Sequence, residues 1–289
     1  MVVTVDFLRP ATLAEALRAK AEHPGAAPIA GGTDVMVELN FDKRRPEAII
    51  DLTGIPELSI WERQDDVIRL GAGVSYARII AELGDELPGL AMASRTVGSP
   101  QIRNRGTVGG NLGAASPAGD AHPPLLACGA EIELASERGS RTVPAAEFFT
   151  GPKRSVLADD ELIVAARVPV ATGPQQFAKV GTRNAMVIAV CSFGLALHPV
   201  RRAVGTGIGS AGPTPLRATD AEEYLADEAD WDSRDPLSDT VLRRFGELVG
   251  QAARPIDDVR GTAAYRRHAL GVLGRRTLAW AWTQYQAGS

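Results

Sequence analysis

Two glycine-bearing stretches hold the residues through which this chain could do chemistry. The first is AGGTDV, residues 30–35; the second is QIRNRGTVGGNLGAASPAGD, residues 101–120. In the second, Gly106, Gly109, Gly110 and Gly113 crowd together beside Thr107, Asn111 and Ser116. Glycine tolerates positive φ and lets a ligand come close to the main chain. Successive N–H groups in such turns form a concavity suited to an anion, and small hydroxyl and amide side chains add donors without filling it. Two such loops, far apart along the chain, can hold the two phosphates of one dinucleotide. A GG pair by itself is more often a plain turn. Neither G-x-x-x-x-G-K-[ST] nor a G-x-G-x-x-G opening a helix occurs. The residues alone point to an anion-friendly backbone and no further.

The elements that must position these stretches follow from pattern. Val3, Val5 and Phe7 alternate with polar residues as a first strand ending at Pro10. Thr12 and Glu15 form a T-x-x-E capping box for a helix ending near Pro24-Gly25. A strand over 27–30, the turn at Gly31-Gly32, a helix over 34–39 and a strand over 48–52 complete a small βαβ-type lobe. Thr33 then lies near a helix N-terminus, where free N–H groups and the dipole favour phosphate. Asp34 is awkward there, since a carboxylate repels phosphate; as a cap it would accept from N–H groups facing away. A second lobe reads as a strand over 67–70, helices over 76–83 and 87–94, the glycine-rich loop, a hairpin of 132–135 with 141–143, and a strand over 162–168. The polar ATGPQQ, 171–176, marks a boundary. Beyond it come strands over 177–180, 187–197 and 203–208, and helices over 219–226, 238–253 and 260–284. The last helix presents Ala264, Leu270, Leu273, Leu278 and Trp282 near core spacing, and core packing is the plainer reading of Trp280 also.

Composition bounds the function. The chain has 289 residues, 45% hydrophobic and 23% charged, ordinary for one large or two moderate globular domains. A net charge of −4 gives no electrostatic reason to expect nucleic acid or an anionic membrane as partner. Cys128 and Cys191 read as buried reduced thiols, and no cysteine cluster can hold an iron–sulfur centre. His23, His122, His198 and His268 lack ligand spacing, so no metal is expected. The N-terminus lacks the regions of a signal peptide, and no apolar run approaches the ~18–20 residues of a membrane span, which leads us to expect a cytoplasmic protein.

QIRN-x-GTVGGNL, preceded by the AGGTD loop, resembles the FAD-binding medium subunit of the molybdenum hydroxylases, the xanthine dehydrogenase and carbon monoxide dehydrogenase family. The likeness continues through PATLAEAL at 10–17, FFTGP at 148–152, DEL at 160–162, TPLRA at 214–218 and PIDDVRGTAAYRRH at 255–268, in family order. The resemblance implies an α+β fold. A two-lobed FAD-binding domain of the PCMH type would span 1–170, with lobes about 1–55 and 56–170. A smaller domain with a three-stranded antiparallel sheet and a helical bundle would span 176–289. It also implies FAD held by Ile29, Ala30, Gly31, Gly32, Thr33, Asp34, Val35, Val97, Thr107, Gly109, Gly110, Asn111, Ala114, Ser116, Asp120, Ile163 and Lys179, and with no histidine in either glycine loop the FAD is expected to be non-covalent. Among these, Asp120 would accept from ribose or ribityl hydroxyls, and Ile163, otherwise simple core, would pack against the flavin. Lys179 is either an unpaired lysine stabilising negative charge on the reduced ring or an exposed strand lysine. The segment RNAMVIAV departs from the family pattern, because Val187 stands where an Asp is common.

By the same resemblance the chain is one subunit of an oxidoreductase complex, with no catalytic acid, base or nucleophile of its own. A large molybdopterin subunit and a small [2Fe–2S] subunit would be its partners, in a dimer of heterotrimers. Electrons would pass from the clusters to FAD here and on to NAD⁺, oxygen, a quinone or another acceptor. Two alternatives stay open: a free-standing flavoenzyme reductase of the same superfamily, and a non-catalytic scaffold that has lost FAD. The reductase needs a proton donor and a substrate-anion site, neither of which is identifiable in the sequence.

Overall fold

In the computed structural model, which describes residues 5–288, the chain opens with strand β1 (Asp6–Leu8) and helix α1 (Leu13–Glu22). Thr12 caps α1 by accepting from the Glu15 N–H at 3.2 Å, while the Glu15 carboxylate takes the Ala11 N–H at 2.7 Å. The expected capping box thus forms with its return bond one residue upstream. Next come β2 (Ala27–Ile29), α2 (Val35–Asn40) and β3 (Ala48–Asp51). The three strands form a parallel sheet in the order β1-β3-β2 around a small core of Ala26, Ala48 and Ile50. Val5 and Phe7 are 42% and 50% exposed, so their alternation marks a strand face turned outward; Val3 lies outside the described residues.

The second lobe begins with β4 (Trp61–Gln64) and β5 (Val67–Gly71). Five helices follow: α3 (Tyr76–Glu82), α4 (Pro88–Thr96), α5 (Pro100–Arg105), α6 (Val108–Ala114) and α7 (His122–Cys128). The hairpin β6 (Glu131–Ser136) and β7 (Gly139–Pro144) leads through α8 (Ala145–Phe148) to the short pair β8 (Phe149–Gly151) and β9 (Arg154–Ser155), then to β10 (Leu162–Pro169). The sheet is antiparallel, β4-β5-β10-β6-β7. The polar WERQ forms the edge strand β4, where only one side needs pairing. One sequence expectation fails here. The stretch 101–120, read as a loop, is largely helix. Ser99 and Thr107 explain why: each caps a helix, accepting from the N–H of Ile102 and Gly110 respectively.

The C-terminal part holds β11 (Gln175–Val180), β12 (Cys191–His198) and β13 (Ala203–Gly209), antiparallel in that order, then α9 (Thr219–Glu228), α10 (Asp239–Ala252) and α11 (Ala263–Gln286). Residues 187–190, expected to begin β12, are irregular. Ala264 is exposed rather than core, because the buried stripe of α11 runs through Arg266, Ala269, Leu270, Leu273 and Leu278. Trp282 is buried and donates to the Asp235 carbonyl at 2.8 Å, whereas Trp280 is 49% exposed.

Helix α7 joins the two parts. Every residue of α7 is buried, the mark of a helix covered on all sides. It lies on the sheet of β12 and β13 at glycines with no room for a side chain. A Cβ on Gly205 would stand 1.9 Å from the Ala127 carbonyl oxygen, and one on Gly207 2.0 Å from that of Pro123. Cys128 and Cys191 are free and buried, one in the core of each part, and burial pushes both thiols up to about 12. Among the described residues, no helix is long and apolar enough to cross a membrane.

Candidate functional site

The first glycine segment turns the chain from β2 into α2. Gly32 takes φ 75°, a conformation strained for any residue with a Cβ. Among the described residues, the N–H groups of residues 31–35 find no acceptor; the next, that of Met36, bonds to the Gly32 carbonyl at 3.1 Å. A run of unpaired N–H groups in one turn is an anion cradle. Asp34 occupies the N-cap position of α2, but its side chain makes no capping bond, so the capping role expected of it is not filled. Desolvation holds its carboxyl above the ordinary range, with Lys153 opposing and Glu38 adding to the rise. Lys153 reaches in from the β8–β9 turn. Its N–H is anchored on the Ala115 carbonyl at 3.0 Å, and its ammonium pairs with Glu38 of α2.

The second segment is built the other way. Gly109 donates to the Ala72 carbonyl at 3.1 Å, Gly110 to the Thr107 hydroxyl at 2.9 Å and Asn111 to the Thr107 carbonyl at 3.0 Å. None of Gly106, Gly109, Gly110 and Gly113 has positive φ. The expectation that these glycines supply free N–H groups through unusual backbone angles is therefore corrected. They serve by lacking a Cβ. A Cβ on Gly109 would meet Ala72 at 2.4 Å. The two segments also touch each other: a Cβ on Gly31 would stand 2.0 Å from the Arg105 carbonyl oxygen and 3.0 Å from Gly106 Cα.

Between them opens a cleft of about 1090 Å³. Of the seventeen residues expected at the site, all but Ile29, Ser116 and Lys179 line it. Ile29 lies beneath Gly32, Ser116 accepts the Ala118 N–H at 3.3 Å in a turn, and Lys179 stands behind Asp120. Ile163 sits where the register of β10 shifts against β6, a bulge that re-aims its side chain toward Gly113. Asp120 and Lys179 form a buried ion pair at 2.6 Å. The ammonium also donates to the Thr96 carbonyl at 3.1 Å, and the Thr96 hydroxyl donates to Asp120 at 3.3 Å. Neither reading of Lys179 as unpaired or as an exposed strand lysine holds. Burial pushes the Asp120 carboxyl up, and the charge and hydrogen bond of Lys179 pull it back. The sequence reading also missed Tyr76, Lys153 and the lip residues Met186 and Ile188, all of which line the cleft. Tyr76 on an amphipathic helix reads as core, and only the family segment FFTGP just ahead of Lys153 hinted at that residue.

Among the described residues, three buried polar atoms at the cleft have no partner: Tyr76 Oη, Asn111 Oδ1 and Asp120 Oδ1. Such atoms are rare in folded proteins and call for a ligand or water. A free N–H cradle at one end, orphaned hydroxyl and carbonyl groups further along and the apolar Val97 and Ile163 together suit FAD. It carries a pyrophosphate, a hydroxylated chain and a flat ring.

Residues 3–171 match the family model described as the FAD binding domain in molybdopterin dehydrogenase. The chain belongs to this family. Residues 176–281 match the CO dehydrogenase flavoprotein C-terminal domain. Among relatives, the chain is 32% identical over 290 residues to the xanthine dehydrogenase FAD-binding subunit of Escherichia coli O157:H7, covering 95% of this chain and 94% of that one. It is 30% identical over 287 residues to the carbon monoxide dehydrogenase medium chain of Afipia carboxidovorans, covering 94% and 95%. A solved structure of carbon monoxide dehydrogenase from Hydrogenophaga pseudoflava, lacking the Mo-pyranopterin moiety of its cofactor, superimposes with a TM-score of 0.89 at 26% identity, over 98% of this chain and 99% of that one. The chain is thus an FAD-binding medium subunit of the molybdenum hydroxylase type and a component of an oxidoreductase complex, with the α+β architecture expected of it. Molybdopterin and iron–sulfur centres belong to other subunits of such complexes.

Proposed function

We propose that this chain is the electron-relaying subunit of a molybdenum hydroxylase complex. It receives electrons from [2Fe–2S] clusters of a small subunit and passes them to an external acceptor, while a large molybdopterin subunit acts on the substrate. We take the assembly to be a dimer of heterotrimers in the cytoplasm; the buried, free Cys128 and Cys191 support a reducing compartment. We divide the chain at 170–176, so that Lys179 of the second domain reaches Asp120 of the first.

The observation that carries this reading is the convergence, in one cleft, of five unpaired main-chain N–H groups with three orphaned polar side-chain atoms. FAD, when bound, supplies a ring able to take up and release electrons singly or in pairs. The chain's own residues do the holding. The N–H groups of 31–35 take the pyrophosphate, and Lys153 offsets the Asp34 carboxylate beside it. Thr107, Gly109 and Gly110 keep the opposite wall close but bare. Val97 and Ile163 give the ring an apolar wall. Asp120, fixed by Lys179, offers its free oxygen to a hydroxyl or ring N–H. With no covalent link proposed, binding is reversible.

The test is co-purification from the native host with flavin, iron and molybdenum analysis. One FAD per copy of this chain, absorbing near ~450 nm, together with iron and molybdenum on two other polypeptides, supports the reading. A chain that purifies alone and turns over a substrate with its own flavin overturns it in favour of a free-standing reductase.

A further inference from the structure

Tyr76 is a buried residue of the cleft, with a hydroxyl that has no partner among the described residues, to which no expectation assigned a role. Its position is fixed by main chain rather than by its own hydroxyl. The Tyr76 N–H donates to the Gly106 carbonyl at 3.0 Å, and the preceding Ser75 bridges to Thr107. Gly106 is tight against the ring: a Cβ there would stand 3.4 Å from Tyr76 Cδ2 and 3.0 Å from the Ile102 carbonyl oxygen. The residue is 2% exposed, yet it lines the cleft and its hydroxyl has no partner. Burial, with the nearby Asp120 and Asp34 carboxylates, keeps the phenol protonated and hence a donor. Tyr76, Asp34 and Asp120 all line the same cleft. Two further orphans, Asn111 Oδ1 and Asp120 Oδ1, are acceptors.

Resting on the FAD reading above, we propose that Tyr76 is a cofactor-positioning residue: its hydroxyl donates to a hydroxyl of the ribityl chain, and Asn111 and Asp120 accept from the remaining ones. A polyol segment fits this set because each hydroxyl donates and accepts, matching one donor and two acceptors. A phosphate only accepts, so it would satisfy Tyr76 and leave both oxygens orphaned.

The test is fluorescence titration of the full chain, stripped of flavin, with FAD and with FAD analogues lacking the 2′, 3′ or 4′ ribityl hydroxyl. Tyr76→Phe should weaken FAD binding about tenfold, the size of one net hydrogen bond to a buried donor. With the one analogue that lacks the partner hydroxyl, wild type and variant should bind within about twofold of each other. An equal penalty across all three analogues overturns the proposal and points to the pyrophosphate or to packing. No penalty with FAD itself also overturns it. Should Tyr76→Phe fail to fold, the wild type alone decides, since equal affinity for FAD and all three analogues leaves the orphaned atoms without a role. Wild-type protein that binds no FAD would instead refute the FAD reading beneath it.

Discussion

The two glycine segments use one residue type for opposite ends. At 31–35 the GG pair makes a turn, Gly32 takes positive φ, and the N–H groups stay unpaired. At 106–113 the GG pair is helical, its N–H groups are bonded, and the absence of a Cβ lets α6 lie against Ala72. The first is an anion cradle and the second a packing joint. The difference comes from whether a side chain caps the helix that follows. Thr107 offers its hydroxyl to the Gly110 N–H and starts a helix, whereas no side chain caps the turn after Gly32. Glycine density alone therefore does not locate donors; capping chemistry does.

The largest effect expected is at the end of the second segment. Lys179→Met leaves Asp120 buried without its cation, and denaturant unfolding should show a loss of about 3–5 kcal/mol. Adding Asp120→Asn should restore much of it; losses that simply add would show that the two charges do not act as a pair. Next come the glycines that lie against main chain. Gly31→Ala and Gly109→Ala should each cost about 1–3 kcal/mol in thermal unfolding. Only Gly31→Ala should also empty the cradle of flavin, because it pushes the two segments apart; equal flavin contents in both variants would erase the distinction between cradle and joint.

Acid should act through the back of the second segment. His122 packs on Phe149 with ring centroids 4.4 Å apart, and its Nε2 lies 3.3 Å from the Asn111 carbonyl oxygen. Burial holds its imidazole down to about 4. The unfolded chain, with a histidine near ~6.5, binds more protons between these values, so this contribution is complete above pH ~6.5 and is lost as pH falls toward 4. Unfolding free energies from urea titrations at pH 7 and 5 should differ by about 2 kcal/mol on this account, and His122→Gln should flatten the difference. A wild-type stability that rises on acidification over this range would contradict the burial of a neutral ring. The smallest stability change is expected at Gly110, where only Thr107 Oγ1, at 3.1 Å, stands within 4 Å of an added Cβ. Gly110→Ala should shift stability by less than ~0.5 kcal/mol while lowering flavin occupancy. Unchanged occupancy would mean that this wall need not be bare.

Much of the architecture was legible. Thr12 with Glu15, the turn between β6 and β7, and the helices after 219 are local signals, and each formed. The segment 101–120 was misread because its glycines outweigh, by propensity, the two caps that make it helical. Residues 187–190 are apolar enough for a strand, yet the pairing of β11 with β12 stops at Val180 and Cys191. The site residues could be named from their motifs, but not their partners.

The sequence by itself determined where glycines, caps and apolar runs fall, because propensity, capping and periodicity act over a few residues. Its motifs, by their resemblance, also pointed to the family. Only the tertiary structure decided which N–H groups stay free, that Gly31 rests on Arg105, and that Lys179 neutralises Asp120 across 59 positions. Those outcomes depend on which distant groups reach each donor or charge first, and that competition is resolved only when the chain closes on itself.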